Sequence, residues 1–186
     1  MALRLLLVYN ISMFTDPIKN LRTLGLREDS IVADLGAGTG YYSIAAGKIV
    51  TRGKVYAVEI VKDFLATIKN KITEAKLDNV EIIWGNIEKL GGTKIKDGVV
   101  DVVIASNVLF QVEEKNKFLM EVKRILKPNG RVLFVDWSAE FGGISPKGAL
   151  SKDRACGMFK EKGFILDREI DAGVHHYGMI LIKNNE

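Results

Sequence analysis

Asp34, Gly36, Gly38 and Gly40 stand at alternate positions in the run Val32-Ala33-Asp34-Leu35-Gly36-Ala37-Gly38-Thr39-Gly40. Glycines so spaced let a chain turn tightly and let a ligand approach the main chain, and Tyr41 follows where a helix can begin. The first N–H groups of such a helix lack partners and point at polar or anionic ligand groups. A dinucleotide fingerprint needs G-x-G-x-x-G, and here Tyr41 occupies the place of its third glycine. Asp34 would repel a pyrophosphate, yet it can accept hydrogen bonds from a cation. A ligand with a zwitterionic amino-acid tail therefore suits the turn better than a phosphate. The plain alternative is a tight turn with no ligand.

Other candidates recur at comparable places. Glu59 lies about twenty residues past the glycines, where an acid can accept two hydrogen bonds from a ribose 2′,3′-diol. Gly85-Asn86-Ile87 follows the apolar run Val80 to Trp84, and Ser106-Asn107 follows the longer run Val99 to Ala105. His175, His176 and Tyr177 sit in a short Gly173-containing connection near the end of the chain. His176 or Tyr177 could act as general base toward a hydroxyl or amine; the bland reading is a solvated hairpin tip with Tyr177 as packing.

The elements that must position these residues alternate. Strands are expected at Ile31 to Leu35, Lys54 to Val58, Val80 to Trp84, Val99 to Ala105, Arg131 to Val135, Phe164 to Ile170 and Tyr177 to Lys183. Helices are expected after Pro17, from Tyr41 to Val50, Lys62 to Lys76, Glu113 to Leu126 and Ser151 to Lys162, with Phe64, Leu65, Ile68 and Ile72 as core packing. Alternation of this kind gives an α/β domain with a mostly parallel sheet, whose ligands lie at the carboxyl ends of the strands. A tight turn before the last strand predicts that it runs antiparallel. The loop Phe141 to Gly148, with three glycines and Pro146, is the expected mobile segment.

D-x-G-x-G-x-G after a buried strand resembles motif I of the class I S-adenosylmethionine (SAM)-dependent methyltransferases. The run Glu121-Val122-Lys123-Arg124-Ile125-Leu126-Lys127-Pro128-Asn129-Gly130 resembles that family's segment after the fourth strand. Ser106-Asn107-Val108-Leu109-Phe110 looks like the turn of its quinone-biosynthesis, type 11, small-molecule group. The resemblance implies a Rossmann-like seven-stranded sheet of order 3-2-1-4-5-7-6, strand 7 antiparallel, with helices on both faces. It implies SAM as cofactor, held by Asp34, Gly36, Ala37, Gly38, Gly40, Tyr41, Glu59, Ile60, Asn86, Ile87, Ser106 and Asn107. Asn86 stands where the family commonly has an acid that takes a proton of the adenine amino group; its amide oxygen could do so without charge. The family's common His near Phe110 or Gln111 is missing. A small or hydrophobic methyl acceptor would meet Phe14, Phe110, Gln111, Trp137 and His175, with residues 1–26 as an N-terminal cap or lid of one domain spanning 1–186. Two other functions stay open: a nucleoside-binding domain of the same fold without transfer activity, and an NAD-linked oxidoreductase.

Composition narrows the partners. The chain has 186 residues, 47% hydrophobic and 27% charged, a net charge of +4 and one cysteine. Its Lys residues are dispersed, so nucleic acid is not an expected partner. No apolar run reaches the length of a bilayer span, and the apolar start of residues 1–12 has one basic residue and no small-x-small cleavage site. A lone Cys156 excludes an internal disulfide and thiolate metal sites and suits a reducing cytoplasm. No metal is expected: a catechol-type Mg²⁺ site wants an acid near Ser106, and the nearest candidate is Asp136. Amino-methylating DNA enzymes carry a Pro-Pro pair where this chain has Val108-Leu109. A homodimer is compatible with this reading.

Overall fold

The computed structural model describes residues 16–139, 145–173 and 175–184. The expectations for residues 1–12, for Phe14 and for residues 141–144 of the loop lie outside them. The first described element, α1 (Pro17–Leu24), starts where Asp16 Oδ1 accepts hydrogen bonds from the N–H groups of Ile18 and Lys19, at 2.9 and 3.1 Å. Pro17 has no N–H to lose at that position. There follow β1 (Ile31–Leu35), α2 (Tyr41–Ile49), β2 (Lys54–Glu59), α3 (Lys62–Ala75), β3 (Val80–Trp84) and β4 (Val100–Ser106). The rest is α4 (Lys115–Ile125), β5 (Leu126–Trp137), α5 (Lys152–Glu161), β6 (Phe164–Ile170) and β7 (His176–Lys183).

The seven strands form one sheet of order β3-β2-β1-β4-β5-β7-β6. Neighbours from β3 to β5 are parallel, and β7 runs antiparallel to both β5 and β6, as expected for a strand delivered by a short connection. Central strands are apolar at successive positions because both faces are covered. Ala33, Val103 and Phe134 face α4 and α5 through Phe118, Val122 and Phe159. Val32, Ile104 and Leu133 face α1 and α2 through Leu21, Leu24 and Ala46.

The largest boundary difference from the sequence reading lies between α4 and β5. Helix α4 stops at Ile125, and β5 begins at Leu126 rather than Arg131. Pro128 disfavours a helical Lys127, so the chain turns extended early. The Lys127-Pro128-Asn129-Gly130 run then bulges: pairing with β4 jumps from Val100↔Leu126 to Val102↔Arg131, with Asn129 in the left-handed region at φ 58. Likewise Ile68 is the only fully buried residue of α3, and Phe64 in its first turn is half-buried rather than core.

Buried Glu121 of α4 fastens the long β3–β4 connection. Its carboxylate accepts from Gly91 N, Thr93 N, Thr93 Oγ1 and the Arg124 guanidinium. Burial alone would raise its pKa, but these donors hold it below the ordinary carboxylate value. That anchoring fixes the connection bearing Asn86, Ile87 and Glu88.

Candidate functional site

A cavity of about 360 Å³ opens over the carboxyl ends of β1 to β4. Asp34, Gly36, Ala37, Gly38, Tyr41, Glu59, Ile60, Asn86, Ile87, Ser106 and Asn107 all line it; Gly40 does not, and instead precedes α2 with its Cα against Ile68. Of the expected acceptor residues that are described, Phe110, Gln111, Trp137 and His175, Gln111 alone lines it. Its wall also includes Thr39, Tyr42, Val61, Phe64, Gly85, Glu88, Val108 and Val112, which the sequence reading did not assign to a site.

The Gly-rich turn is shaped for close approach. A Cβ at Gly36 would strike Val108 Cγ2. Gly38, at φ 54, has only Gly36 O near the place a Cβ would take, at 4.0 Å, so that space is open. The Glu59 carboxylate ties this turn to the start of α3: Oε2 accepts from Gly38 N at 2.8 Å, and Oε1 from Ile60 N and Val61 N at 2.8 Å each. Three backbone donors that the secondary structure leaves unsatisfied are thereby paired. A carboxylate oxygen has lone pairs to spare, so Glu59 can still accept from a ligand hydroxyl.

Asp34 is 2% exposed, and Ser43 Oγ donates to its Oδ2 at 2.6 Å. Burial pushes its pKa up to about 7 against the pull of that bond, and the Glu59 charge adds to the rise. Asn107 is held in the left-handed region at φ 55 by its N–H to Val135 O, 2.8 Å, while its own carbonyl accepts from Gln111 Nε2 at 2.7 Å. Its side-chain amide is buried with neither polar atom hydrogen-bonded among the described residues. Leaving such a group unpaired costs about 1–3 kcal/mol, which a ligand can recover. Asn86 Oδ1, the oxygen expected to meet an adenine amino group, accepts from Glu88 N at 2.8 Å within its own loop.

The hairpin residues lie elsewhere on the rim. Pairing of Asp136 with Tyr177 and Trp137 with His176 brings the hairpin to the carboxyl end of β5, as expected. Neighbours along a strand point to opposite faces, however, so His176 and Tyr177 are separated by the sheet. The His176 ring, 7% exposed, lies 4.3 Å from that of Trp137; Tyr177 packs with Phe134, rings 5.9 Å apart. Burial, with His175 adjoining, pushes the His176 pKa down to about 4, and burial raises that of Tyr177 well above its ordinary value. Neither residue lines the cavity, nor do Phe110, Trp137 or His175. Asp136 Oδ2 accepts from Leu109 N at 2.9 Å and Oδ1 from Trp137 N at 2.8 Å, which fixes the turn after β4.

A family model described as a methyltransferase domain matches residues 26–164. The chain belongs to that family. Among relatives, a demethylmenaquinone methyltransferase of Bacillus mycoides is 31% identical over 121 residues, 64% of this chain and 50% of that protein. A ubiquinone/menaquinone biosynthesis C-methyltransferase of Haemophilus ducreyi is 32% identical over 116 residues, 61% of this chain and 44% of that protein. This methyltransferase domain thus spans about half the length of the curated relatives it matches. A solved SAM-dependent methyltransferase from Aquifex aeolicus superposes with a TM-score of 0.82 at 27% identity, covering 91% of this chain and 90% of that one. The sheet order and antiparallel seventh strand agree with the resemblance read from the sequence. No helix among the described residues of the methyltransferase domain is long and apolar enough to cross a membrane.

Proposed function

We propose that the chain transfers a methyl group from SAM to a small or hydrophobic acceptor. The observation that carries this reading is the charge of the cavity: among the described residues its lining includes Asp34, Glu59 and Glu88 and no Lys, Arg or His. Such a lining opposes a pyrophosphate and favours a cation, and SAM is a sulfonium with a zwitterionic tail. Within it Glu59 would take the ribose diol, Asp34 would face the ammonium side of the tail, and Ile60, Phe64 and Ile87 would flank the base. The bound sulfonium supplies an electrophilic methyl group. The chain's own task is then alignment and exclusion of water.

The relatives are named for methylation in menaquinone and ubiquinone biosynthesis, so an aromatic quinone precursor is the first acceptor to try. The reading also puts the protein in a reducing cytoplasm, in keeping with one cysteine, without a nucleic-acid partner; sedimentation would decide whether it forms a homodimer. Titration calorimetry with SAM, S-adenosylhomocysteine and NAD should give binding of the first two only; binding of NAD alone would overturn the assignment. Transfer of labelled methyl from SAM to demethylmenaquinol and smaller phenols should then give turnover. SAM binding without transfer to any acceptor would favour a second reading, a binding domain without activity. What supports that alternative is that neither candidate base reaches the cavity, together with the half-length coverage of the relatives.

A further inference from the structure

At Asn86 the cavity lining carries an amide nitrogen, a donor, where an aspartate would carry a second acceptor oxygen. Asn86 Oδ1 accepts from Glu88 N at 2.8 Å. A backbone N–H can only donate, so the amide oxygen must face it, and chemistry alone fixes which way the amide turns. The amide nitrogen is left over, with no partner among the described residues. The next backbone N–H, that of Ile87, likewise donates to none of them. Both residues line the cavity beside Ile60 and Phe64. The neighbouring Glu88 carboxylate is turned to the start of α4, where Oε2 accepts from Glu113 N and Glu114 N at 2.9 and 2.8 Å.

A purine shows two adjacent groups at N1 and C6. In adenine these are an acceptor nitrogen and a donor amino group; in a 6-oxopurine they are a donor N–H and an acceptor oxygen. Two neighbouring donors match one group of either ring and oppose the other. An aspartate at position 86 would keep one oxygen on Glu88 N and present the second as an acceptor. Beside the Ile87 donor it would match adenine at both groups and a 6-oxopurine at neither. We propose that Asn86 makes this site accept 6-oxopurine nucleoside thioethers alongside the 6-amino ones, and that this one residue sets the tolerance. The inference rests on the cofactor reading above.

The test is calorimetric titration of S-adenosyl-L-homocysteine and S-inosyl-L-homocysteine into the parent protein and into Asn86→Asp, which keeps the acceptor for Glu88 N. The two dissociation constants should lie within about tenfold of each other in the parent, one match and one mismatch each. In Asn86→Asp the ratio should widen by at least about tenfold toward the adenosine compound. The parent ratio needs no variant to be read. Binding of S-adenosyl-L-homocysteine with a parent preference above about tenfold, or with an unchanged ratio in the variant, overturns the inference alone. Absence of binding by either thioether to the parent overturns the cofactor reading and the inference with it.

Discussion

Over the ends of β1 to β4, carboxylates held by backbone N–H groups and a hydroxyl border an open cavity; over the end of β5 and the start of β7, the same rim is filled by the rings of Trp137, His176 and Tyr177, the last packed on core Phe134. Both regions contain buried acids. Asp34 and Asp136 are each 2% exposed, and burial pushes each pKa to about 7. They differ in their partners. Asp136 accepts from backbone N–H groups, including those of Leu109 and Trp137, and so fixes a turn, whereas Asp34 has the Ser43 hydroxyl and faces the cavity. The contrast separates acids that hold the fold from acids left available to a ligand. Variants on the two sides should therefore affect different measurements.

The largest effect is expected at Gly38. Valine there would project into the space next to Gly36 O, which nothing else fills, and would occupy ligand volume. SAM binding should fall by more than about 100-fold, while strain at φ 54 costs roughly 1–2 kcal/mol and leaves a folded protein. An unchanged titration would detach the cavity from the cofactor. Glu59→Ala comes next. It leaves Gly38 N, Ile60 N and Val61 N without their acceptor and removes the proposed ribose contact. It should weaken SAM by about 1–3 kcal/mol, roughly 5- to 150-fold, and lower the melting temperature as well. Loss of stability with unchanged affinity would mean that Glu59 is only a clamp.

Asp34 gives a pH test whose sign follows from its pKa. A cationic ligand favours the carboxylate, but below about pH 7 the ligand-free protein holds the proton. SAM affinity should therefore rise with pH up to about 7 and fall by about tenfold per unit below it, and Asp34→Asn should abolish that slope. For the ligand-free fold the linkage runs the other way. A carboxyl with a raised pKa binds more protons folded than unfolded between its unfolded value of 3.8 and about 7, so its contribution to stability declines as pH rises through that window. Both acids contribute to that decline, and saturating SAM should remove only the part due to Asp34. A ligand that removed both parts would erase the distinction between the two halves of the rim.

Sequence carried the cavity half of the rim further than the hairpin half, and the reasons are physical. The glycines, the strand periods and the acid at the tip of β2 are features of residue type and spacing, and each has a direct conformational consequence. The role of Glu59 as acceptor for three main-chain amides leaves no trace in its spacing. The same holds for the hydrogen bond that the Asn86 oxygen accepts from Glu88 N. Phe64 follows the helical period of α3 whether it faces core or cavity, so only the covering elements could decide. The separation of His176 from Tyr177 was not legible either: the expected strand began at Tyr177, and only the start of β7 at His176 puts the two residues on opposite faces.

The smallest effect on SAM should come from His176, and it tests whether the hairpin half takes any part in proton transfer. His176 is buried against Trp137 and its pKa is near 4, so at neutral pH it is already unprotonated and is a weak base. Its ionisation bears on stability instead. With the folded value depressed from 6.5 to about 4, the unfolded chain binds the extra proton, and stability falls as pH drops through that interval. His176→Ala should remove this acid-side loss, cost about 1–3 kcal/mol of stability through lost packing, and leave SAM affinity within about tenfold. Once an acceptor is in hand, the pH–rate profile of the variant should parallel that of the parent from pH 6 to 8. A limb near pH 6.5 present in the parent and missing from the variant would instead make His176 the base, and would require the hairpin to open toward the cavity during turnover.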